Sequence, residues 1–174
     1  MRKLWMTVYA VIDLKDAVIT IIDGTTPVNS VEVKVGEGNL TFSEKRNMQY
    51  ILDRGVLDEV REGDEVPVDV SLNFVWEYLR AASGSGLPTV EEALKNIGEA
   101  AAWVSSDSDT CRPYAVDIKI LYKPSPVSCG DQETILLSDF RWEGLDHDLR
   151  GGAVAVTGKC NVTQATVSRQ ANST

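Results

Sequence analysis

Apolar and polar positions alternate most clearly between residues 66 and 77. The apolar set is Val66, Val68, Val70, Leu72, Phe74 and Trp76. The intervening set is Pro67, Asp69, Ser71, Asn73, Val75 and Glu77. A period of two places the two sets on opposite faces of a β-strand. We therefore predict a strand with one face against a hydrophobic core and the other toward water.

A less regular alternation precedes it, over residues 40–50. Leu40, Phe42, Met48 and Tyr50 share one face with Glu44 and Arg46. The opposite face, which is polar throughout, consists of Thr41, Ser43, Lys45, Asn47 and Gln49. We predict one long strand here, joined to the next by an acidic loop over 53–65. Its carboxylates suggest calcium, but their spacing does not match an EF-hand loop, so a solvated charged turn is the preferred interpretation. Two long strands with a polar face suit a sheet with water on one side, or a barrel whose polar face lines a channel.

The rest of the chain predicts shorter strands and one helix. The predicted strands are 17–23, 31–35, 115–123, 134–142 and 153–163, with a charged loop over 143–152. A connector over 81–88 leads into a helix that Thr89 and Glu92 open as a capping box. Its apolar stripe is Val90, Leu94, Ile97 and Ala101. The fold class is therefore mainly β: about seven or eight antiparallel strands in a sandwich or partly closed barrel, with one flanking α-helix.

Length and composition predict a single domain over residues 1–163, followed by a polar C-terminal arm over 164–174. The chain has 174 residues and a net charge of −9. Such acidity argues against a nucleic-acid-binding surface, since these surfaces neutralise phosphates with Lys and Arg. It fits either simple solubility or a surface that lets DNA pass without holding it. No apolar run reaches about 18 residues, so no membrane insertion is expected. The arm lacks an apolar period and should be either disordered or ordered by a neighbour.

Candidate chemistry centres on His147, the only histidine, which lies between Asp146 and Asp148. Such a triplet suggests a metal ligand or an oriented base, but no second motif accompanies it, and neighbours on an extended chain point in opposite directions. We expect a loop histidine beside solvated carboxylates. Cys111, Cys129 and Cys160 lack the short paired spacing of zinc knuckles, so reduced thiols are expected. No catalytic residue, metal site or cofactor is predicted, and the protein is not expected to be an enzyme.

Two blocks of sequence carry a family resemblance. They are EGNLTFSEKRNMQYILDRGVLDEVREGDEVPVDVSLNFVWEYL, residues 37–79, and CGDQETILLSDFRWEGLDHDLRGGAVAVTGKCNVTQATV, residues 129–167. Both resemble the major tail tube proteins of long-tailed bacteriophages, in the order and spacing of that family. The match is one of extended pattern, with no short catalytic motif.

The resemblance implies a structural subunit of a virion tail, made in the cytoplasm of a host bacterium. Homo-hexameric rings would stack into a tube around a channel for DNA ejection, with strands of six subunits forming one continuous β-barrel. The implied partners are other copies of the chain, a tape-measure protein in the lumen, and sheath, terminator and baseplate proteins, with DNA passing unbound. The lumen-lining candidates are then Thr41, Ser43, Lys45, Asn47, Gln49, Asp69, Ser71 and Asn73.

Two other functions remain open at this point. One is a small-ligand or carbohydrate-binding β-barrel that happens to be acidic. The other is a hydrolase that uses Asp146, His147 and Asp148. Ring or tube formation would favour the tail function over both.

Overall fold

A computed structural model describes residues 13–76, 87–123 and 131–170. Within these ranges the chain forms ten strands. They are β1 Ala17–Ile22, β2 Ser30–Glu32, β3 Leu40–Ser43, β4 Met48–Asp53, β5 Val56–Glu62, β6 Val68–Val75, β7 Val116–Tyr122, β8 Gln132–Asp148, β9 Ala153–Cys160 and β10 Thr166–Gln170. The α-helix α1 is Val90–Lys95, and two 3₁₀ turns cover Leu14–Asp16 and Gly98–Ala100.

Eight of these strands form one antiparallel sheet in the order β2-β1-β7-β8-β9-β6-β3, with β10 also paired to β8. Strands β4 and β5 form a separate two-stranded hairpin. The mainly antiparallel β class with one flanking helix is thereby confirmed. The sheet does not close into a barrel by strand pairing.

The segment 30–43 contains β2 and β3, the two edge strands of the sheet, and contacts both β1 and β6. At its start β2 pairs with β1, and the Val33 N–H then donates to the Ile19 carbonyl over 2.8 Å. Further on, the Val75 N–H of β6 donates to the Lys34 carbonyl over 2.8 Å, and β3 pairs with β6. One continuous segment therefore bridges β1 and β6, which curls the sheet around its apolar side.

The core lies on the concave side that this curl creates. Strands β6, β7 and β9 bury every second residue, as in β6, where Val68, Val70, Leu72 and Phe74 are buried. The predicted alternation over 66–76 is confirmed for these four side chains. Helix α1 adds Val90 and Leu94 to the same core.

The prediction of one strand over residues 40–50 is wrong. Strand β3 ends at Ser43, and β4 begins at Met48 in the separate hairpin, so Met48 and Tyr50 are exposed rather than in the core. The four residues 44–47 offer no apolar side chain to hold the chain on the sheet, and it turns away there. The predicted acidic loop over 53–65 is also wrong, because 56–62 form β5.

The hairpin turn is made by Arg54 and Gly55, which have φ of 50° and 83°. Two successive left-handed residues form the turn type that matches the twist of a two-residue hairpin. Glycine adopts this conformation without steric cost, which explains its place at the second position.

Strand β8 is longer than predicted. It continues through the proposed loop to Asp148, so only residues 149–152 form the turn into β9. Its pairing with β9 shifts register between Trp142 and Gly144, and Asp139 has a φ of 55°. Each irregularity inserts one extra residue into β8, so the side chains beyond it change faces of the sheet. A search for strict period-two alternation therefore does not detect the full strand.

The helix is shorter than its apolar stripe suggested. The capping box is confirmed: the Thr89 hydroxyl accepts from the Glu92 N–H, and the Glu92 carboxylate accepts from the Thr89 N–H. Asn96 then adopts a left-handed conformation and ends the helix. Ile97 consequently points away from the core and is half exposed.

The C-terminal segment pairs within its own chain. Strand β10 continues the edge that β9 began and pairs with the first residues of β8, with Val167 opposite Ile135. All five residues are exposed, in keeping with their lack of an apolar period, but 166–170 are an ordered edge strand rather than disordered chain. The domain boundary at residue 163 stays a prediction. Glu77, most of the connector (81–86), Cys129 and residues 171–174 lie outside the described residues. In the described ranges, no helix has the length and apolar character needed to cross a bilayer.

Candidate assembly surfaces

The convex side of the sheet carries a polar surface over β3, β6 and β9. Because directly paired residues of antiparallel strands share a face, the pairing defines it. Ser71 of β6 lies between Thr41 of β3 and Thr157 of β9. Asp69 lies between Ser43 and Lys159 in the same way. We call this surface the polar face.

Five of the eight predicted lumen residues lie together on the polar face: Thr41, Ser43, Asp69, Ser71 and Asn73. The sequence missed Thr157 and Lys159, although both alternate with the buried Val156 and Cys160 in β9. That alternation is the signal that would have found them. The structure thus extends the predicted surface by one strand.

Lys45 reaches the polar face through an ion pair. It follows β3 directly, and its Nζ lies 2.6 Å from the Asp69 Oδ2. This hydrogen bond, together with the lysine charge, lowers the pKa of Asp69 below its ordinary value. Lys159 faces Glu143 of β8 at 3.9 Å. Both lysines therefore have a carboxylate neighbour.

Asn47 and Gln49 lie apart from the other six residues. The Asn47 carbonyl accepts from the Gly63 N–H over 2.7 Å, which places it at the base of the hairpin. Gln49 lies within the hairpin opposite Arg61. The alternation over residues 40–50 predicts one continuous polar face only for an unbroken strand, and the strand is broken between Ser43 and Met48.

The β4–β5 hairpin has one mainly apolar face, formed by Met48, Tyr50, Leu52, Leu57 and Val60, with Glu62 at its open end opposite Met48. Tyr50 pairs with Val60 and Leu52 with Leu57, so these side chains share one side. Tyr50 is 63% exposed and Leu57 65% exposed. The opposite side is more polar, with an Arg61 guanidinium bound to Glu59 by two hydrogen bonds. We call the apolar side the hairpin face.

Among the described residues, few contacts join the hairpin to the rest of the fold. Besides the Lys45–Asp69 pair, the Glu44 carboxylate accepts from the Ala165 N–H over 2.8 Å. All residues of β4 and β5 are exposed. An isolated two-stranded hairpin is marginal in water, and a contiguous exposed apolar patch of this kind usually marks an interface.

His147 lies on β8 rather than in a loop, which corrects the prediction. Its Nε2 is 3.0 Å from the Glu91 Oε1 of α1, and its ring lies 4.9 Å from that of Trp76. It is paired with Val154 on the concave side, whereas Asp146 and Asp148 are paired with Ala155 and Ala153 on the other. The three side chains therefore do not converge as a hydrolase site would require.

The cysteines and acidic residues form no metal centre in the described part of the chain. No group of three or more His, Cys, Asp or Glu side chains is placed to hold an ion there. Cys160 is buried, and burial together with Asp117 and Asp139 raises its pKa to about 12. Cys111 is exposed.

Two buried carboxylates instead organise loops. Asp23 accepts hydrogen bonds from the backbone and side chain of Thr25 and Asn29, and from the Val104 N–H. The Asp107 side chain is 5% exposed and lies 2.7 Å from Arg141 Nη2. The Asp109 N–H, followed by Arg141, lowers the pKa of Asp107 to about 2. Both carboxylates accept hydrogen bonds from loop residues and hold the loops around them in place.

Comparison with known proteins gives a structural neighbour. No protein-family model matches the chain, and no curated protein matches it. The fold matches a solved cryo-EM structure, the sheath/tube terminator of the PVC extracellular contractile injection system in its extended state, with a TM-score of 0.52. The match covers 92% of this chain and 99% of the terminator, at 10% identity. The two proteins share a fold. At that identity the likeness extends to the fold alone.

Proposed function

We propose that this chain is a structural subunit of a tail-like tube, assembling into rings of six copies that stack around a channel. The observation that carries the proposal is the hairpin face, an apolar surface that a single copy leaves uncovered. Two further points support it: the sequence resemblance to phage tail tube proteins, and a fold shared with a component of a sheath-and-tube assembly.

The polar face is the proposed channel wall. A wall with free lysines would bind DNA, because each phosphate contact releases a counterion. On this face Lys45 and Lys159 each have a carboxylate neighbour, Asp69 and Glu143, which reduces that attraction. Asn47 and Gln49 lie on the hairpin, so we now place them at a contact between copies rather than on the wall.

The proposed partners are other copies of this chain, a tape-measure protein in the channel, and sheath, terminator and baseplate proteins. DNA would pass without specific binding, and the protein would be found in the tail of an extracellular particle. We propose no catalytic role. The concave side, where a ligand-binding barrel would hold its ligand, is filled by side chains such as Leu72, Ile118 and Phe140.

A second candidate is a subunit that ends a tube rather than building its length. The fold neighbour is named as a sheath/tube terminator, and this chain spans 99% of it, which favours this variant of the same structural role. A terminating ring presents one face that accepts the tube and one that does not. The two candidates therefore differ in whether rings stack.

Size-exclusion chromatography over a concentration series, followed by negative-stain microscopy, tests both. Stacked rings or tubes support the tube subunit, and single rings that do not stack support the terminator. A monomer at every concentration that binds an oligosaccharide or small ligand would contradict both. The control is a variant whose residues 48–62 are replaced by a short Gly-Ser turn between Asn47 and Gly63, which should fold but form no rings.

A further inference from the structure

Residues 1–12 precede the part of the chain that the structure describes, and their composition differs from that of the rest. Their sequence is MRKLWMTVYAVI. Arg2 and Lys3 stand near its start, it contains no acidic residue, and Leu4 to Ile12 is apolar or aromatic except for Thr7. This segment is therefore basic in a chain whose net charge is −9. An apolar surface with carboxylates at one end would match it.

The hairpin face has that arrangement. Its apolar side chains extend from the turn to Met48, which is paired with Glu62 at the open end. Glu62 also lines a cleft of about 440 Å³ at the base of the hairpin. The other charged residues that line this cleft are Glu44, Asp64, Glu65, Lys45 and Arg46. Carboxylates outnumber basic side chains there, and Lys45 is already bound to Asp69. The surface is thus apolar toward its tip and acidic at its base.

The segment and the hairpin face also match in length. Leu4 to Val8 and Met48 to Leu52 each cover four residue steps, or roughly 14 Å in extended chain. Laid on the hairpin as an extended chain, the segment would turn alternate side chains such as Leu4 and Met6 toward the apolar face. With Leu4 beside Met48, the two preceding basic residues would lie over the cleft. One placement therefore brings apolar side chains onto apolar ones and basic side chains onto carboxylates.

We propose that residues 1–12 of one copy pack along the hairpin face of a second copy, with Arg2 and Lys3 at the acidic cleft. This proposal rests on the proposed function and names the partner surfaces of its ring. In a single copy every residue of the hairpin is exposed, so the segment that covers it comes from another copy. Because segment and hairpin differ, the contact is heterologous, and repeating it around an axis closes a ring.

The contact would also stabilise the hairpin itself. Two strands that pair only with each other are marginal in water, and packing against a further element is what such a hairpin needs. In a closed ring each copy makes the contact twice, once through its segment and once through its hairpin. Hairpin order and ring closure would therefore support each other.

Site-directed cross-linking tests the contact. In a background with Cys111→Ser and Cys129→Ser, one preparation carries Met6→Cys and another carries Val60→Cys. Mixed before assembly and treated with a short bismaleimide, the two should give a covalent dimer whose linked peptides contain positions 6 and 60. The matched control mixes Met6→Cys with Ser71→Cys on the polar face, which should give no such dimer.

Charge reversal gives a second readout. Arg2→Glu combined with Lys3→Glu should weaken self-association about tenfold or more in sedimentation, because like charges would then face each other at the cleft. Circular dichroism should show an unchanged fold. Adding Glu62→Lys and Asp64→Lys to the same chain should restore association, since the charges are then exchanged rather than lost.

A control with the same change in net charge uses two exposed basic residues that belong to neither surface. Lys123→Glu combined with Arg150→Glu should leave association as in the parent. An equal loss in this control would assign the effect to net charge and overturn the contact.

The outcomes separate this contact from the proposed function. Rings that form without a 6–60 cross-link, or that tolerate the reversal of Arg2 and Lys3, would overturn the contact and leave the ring-forming function standing. A chain carrying both cysteines that cross-links internally while monomeric would overturn the assignment to a second copy. If no assembly forms at any concentration, both proposals are wrong.

Discussion

Strand β6 and the β4–β5 hairpin carry similar alternations of apolar and polar side chains, and the fold places them in opposite environments. In β6 Val68, Val70, Leu72 and Phe74 are buried, because the strand lies between β3 and β9 with the core beneath it. In the hairpin every residue is exposed, because its two strands pair only with each other and no other described residue covers them. The comparison indicates that alternation reports an apolar face but not whether the same chain buries it. Stability should therefore depend on the sheet, and association on the hairpin.

The sharpest test compares two leucines. Leu72 is fully buried in β6, so Leu72→Ala removes its burial and leaves a cavity, at a cost of about 2–5 kcal/mol in the free energy of unfolding. Leu57→Ala at the exposed hairpin should cost less than about 0.5 kcal/mol. Urea unfolding of the monomer measures both. Equal losses would mean that the hairpin is part of the cooperative core.

A second comparison uses two aspartates. Asp23→Ala removes the acceptor for buried donors of Thr25, Asn29 and Val104, which should cost about 1–3 kcal/mol. Asp58→Ala changes an exposed carboxylate in β5 and should leave the unfolding midpoint in urea almost unchanged. A small loss for Asp23→Ala would mean that water replaces the carboxylate in its loop.

Acid should lower the stability of the fold by protonating Asp107, which pairs with Arg141 of β8. Its pKa in the fold is about 2, below the ordinary 3.8, so its ionised form stabilises the native state. This contribution is fully present above about pH 4 and is lost as the pH falls toward 2. Asp107→Asn should therefore be less stable than the parent at pH 7, and the difference should shrink toward pH 2. Thermal melts across this range measure it, and a constant difference would assign the effect to packing.

The smallest effect on folding is expected for Asp69→Asn. The Lys45–Asp69 pair is exposed, and such pairs contribute little to stability, so the melting temperature should not change. The variant leaves Lys45 and Lys159 without this carboxylate. Assembled rings of Asp69→Asn should bind short duplex DNA in low salt and release it as salt rises. Adding Lys45→Ala should reduce the binding, and DNA binding equal to the parent's would exclude Asp69 from the channel wall.

Strands β6 and β7 could be predicted from the sequence because apolar and polar side chains alternate along them without interruption. Residues 68–74 and 116–122 bury every second side chain as their pattern indicated. The pattern failed where the backbone departs from regular geometry. The register shift near Gly144 reversed the faces of β8, and Asn96 ended the helix before its apolar stripe did.

The polar face was predicted in part, for a related reason. Asp69, Ser71 and Asn73 follow directly from the alternation of β6. Asn47 and Gln49 were assigned to the same face because nothing in the sequence marks residues 44–47 as a break rather than a polar stretch of strand. The hairpin had one usable signal, Arg54-Gly55 between two segments containing apolar residues, but the surrounding acidic residues favoured a loop.

The pairing of β1 with β7 has a consequence for the order of folding. Ile19 pairs with Ile120, about 100 residues later, so the sheet cannot be completed until most of the chain has been synthesised. The β4–β5 hairpin needs only a two-residue turn and can form within microseconds. A nascent chain would therefore form the β4–β5 hairpin transiently, with its apolar face exposed, before the sheet is complete. Neighbouring chains on one polysome would then expose their hairpin faces at high local concentration, which favours association between chains before their sheets are complete.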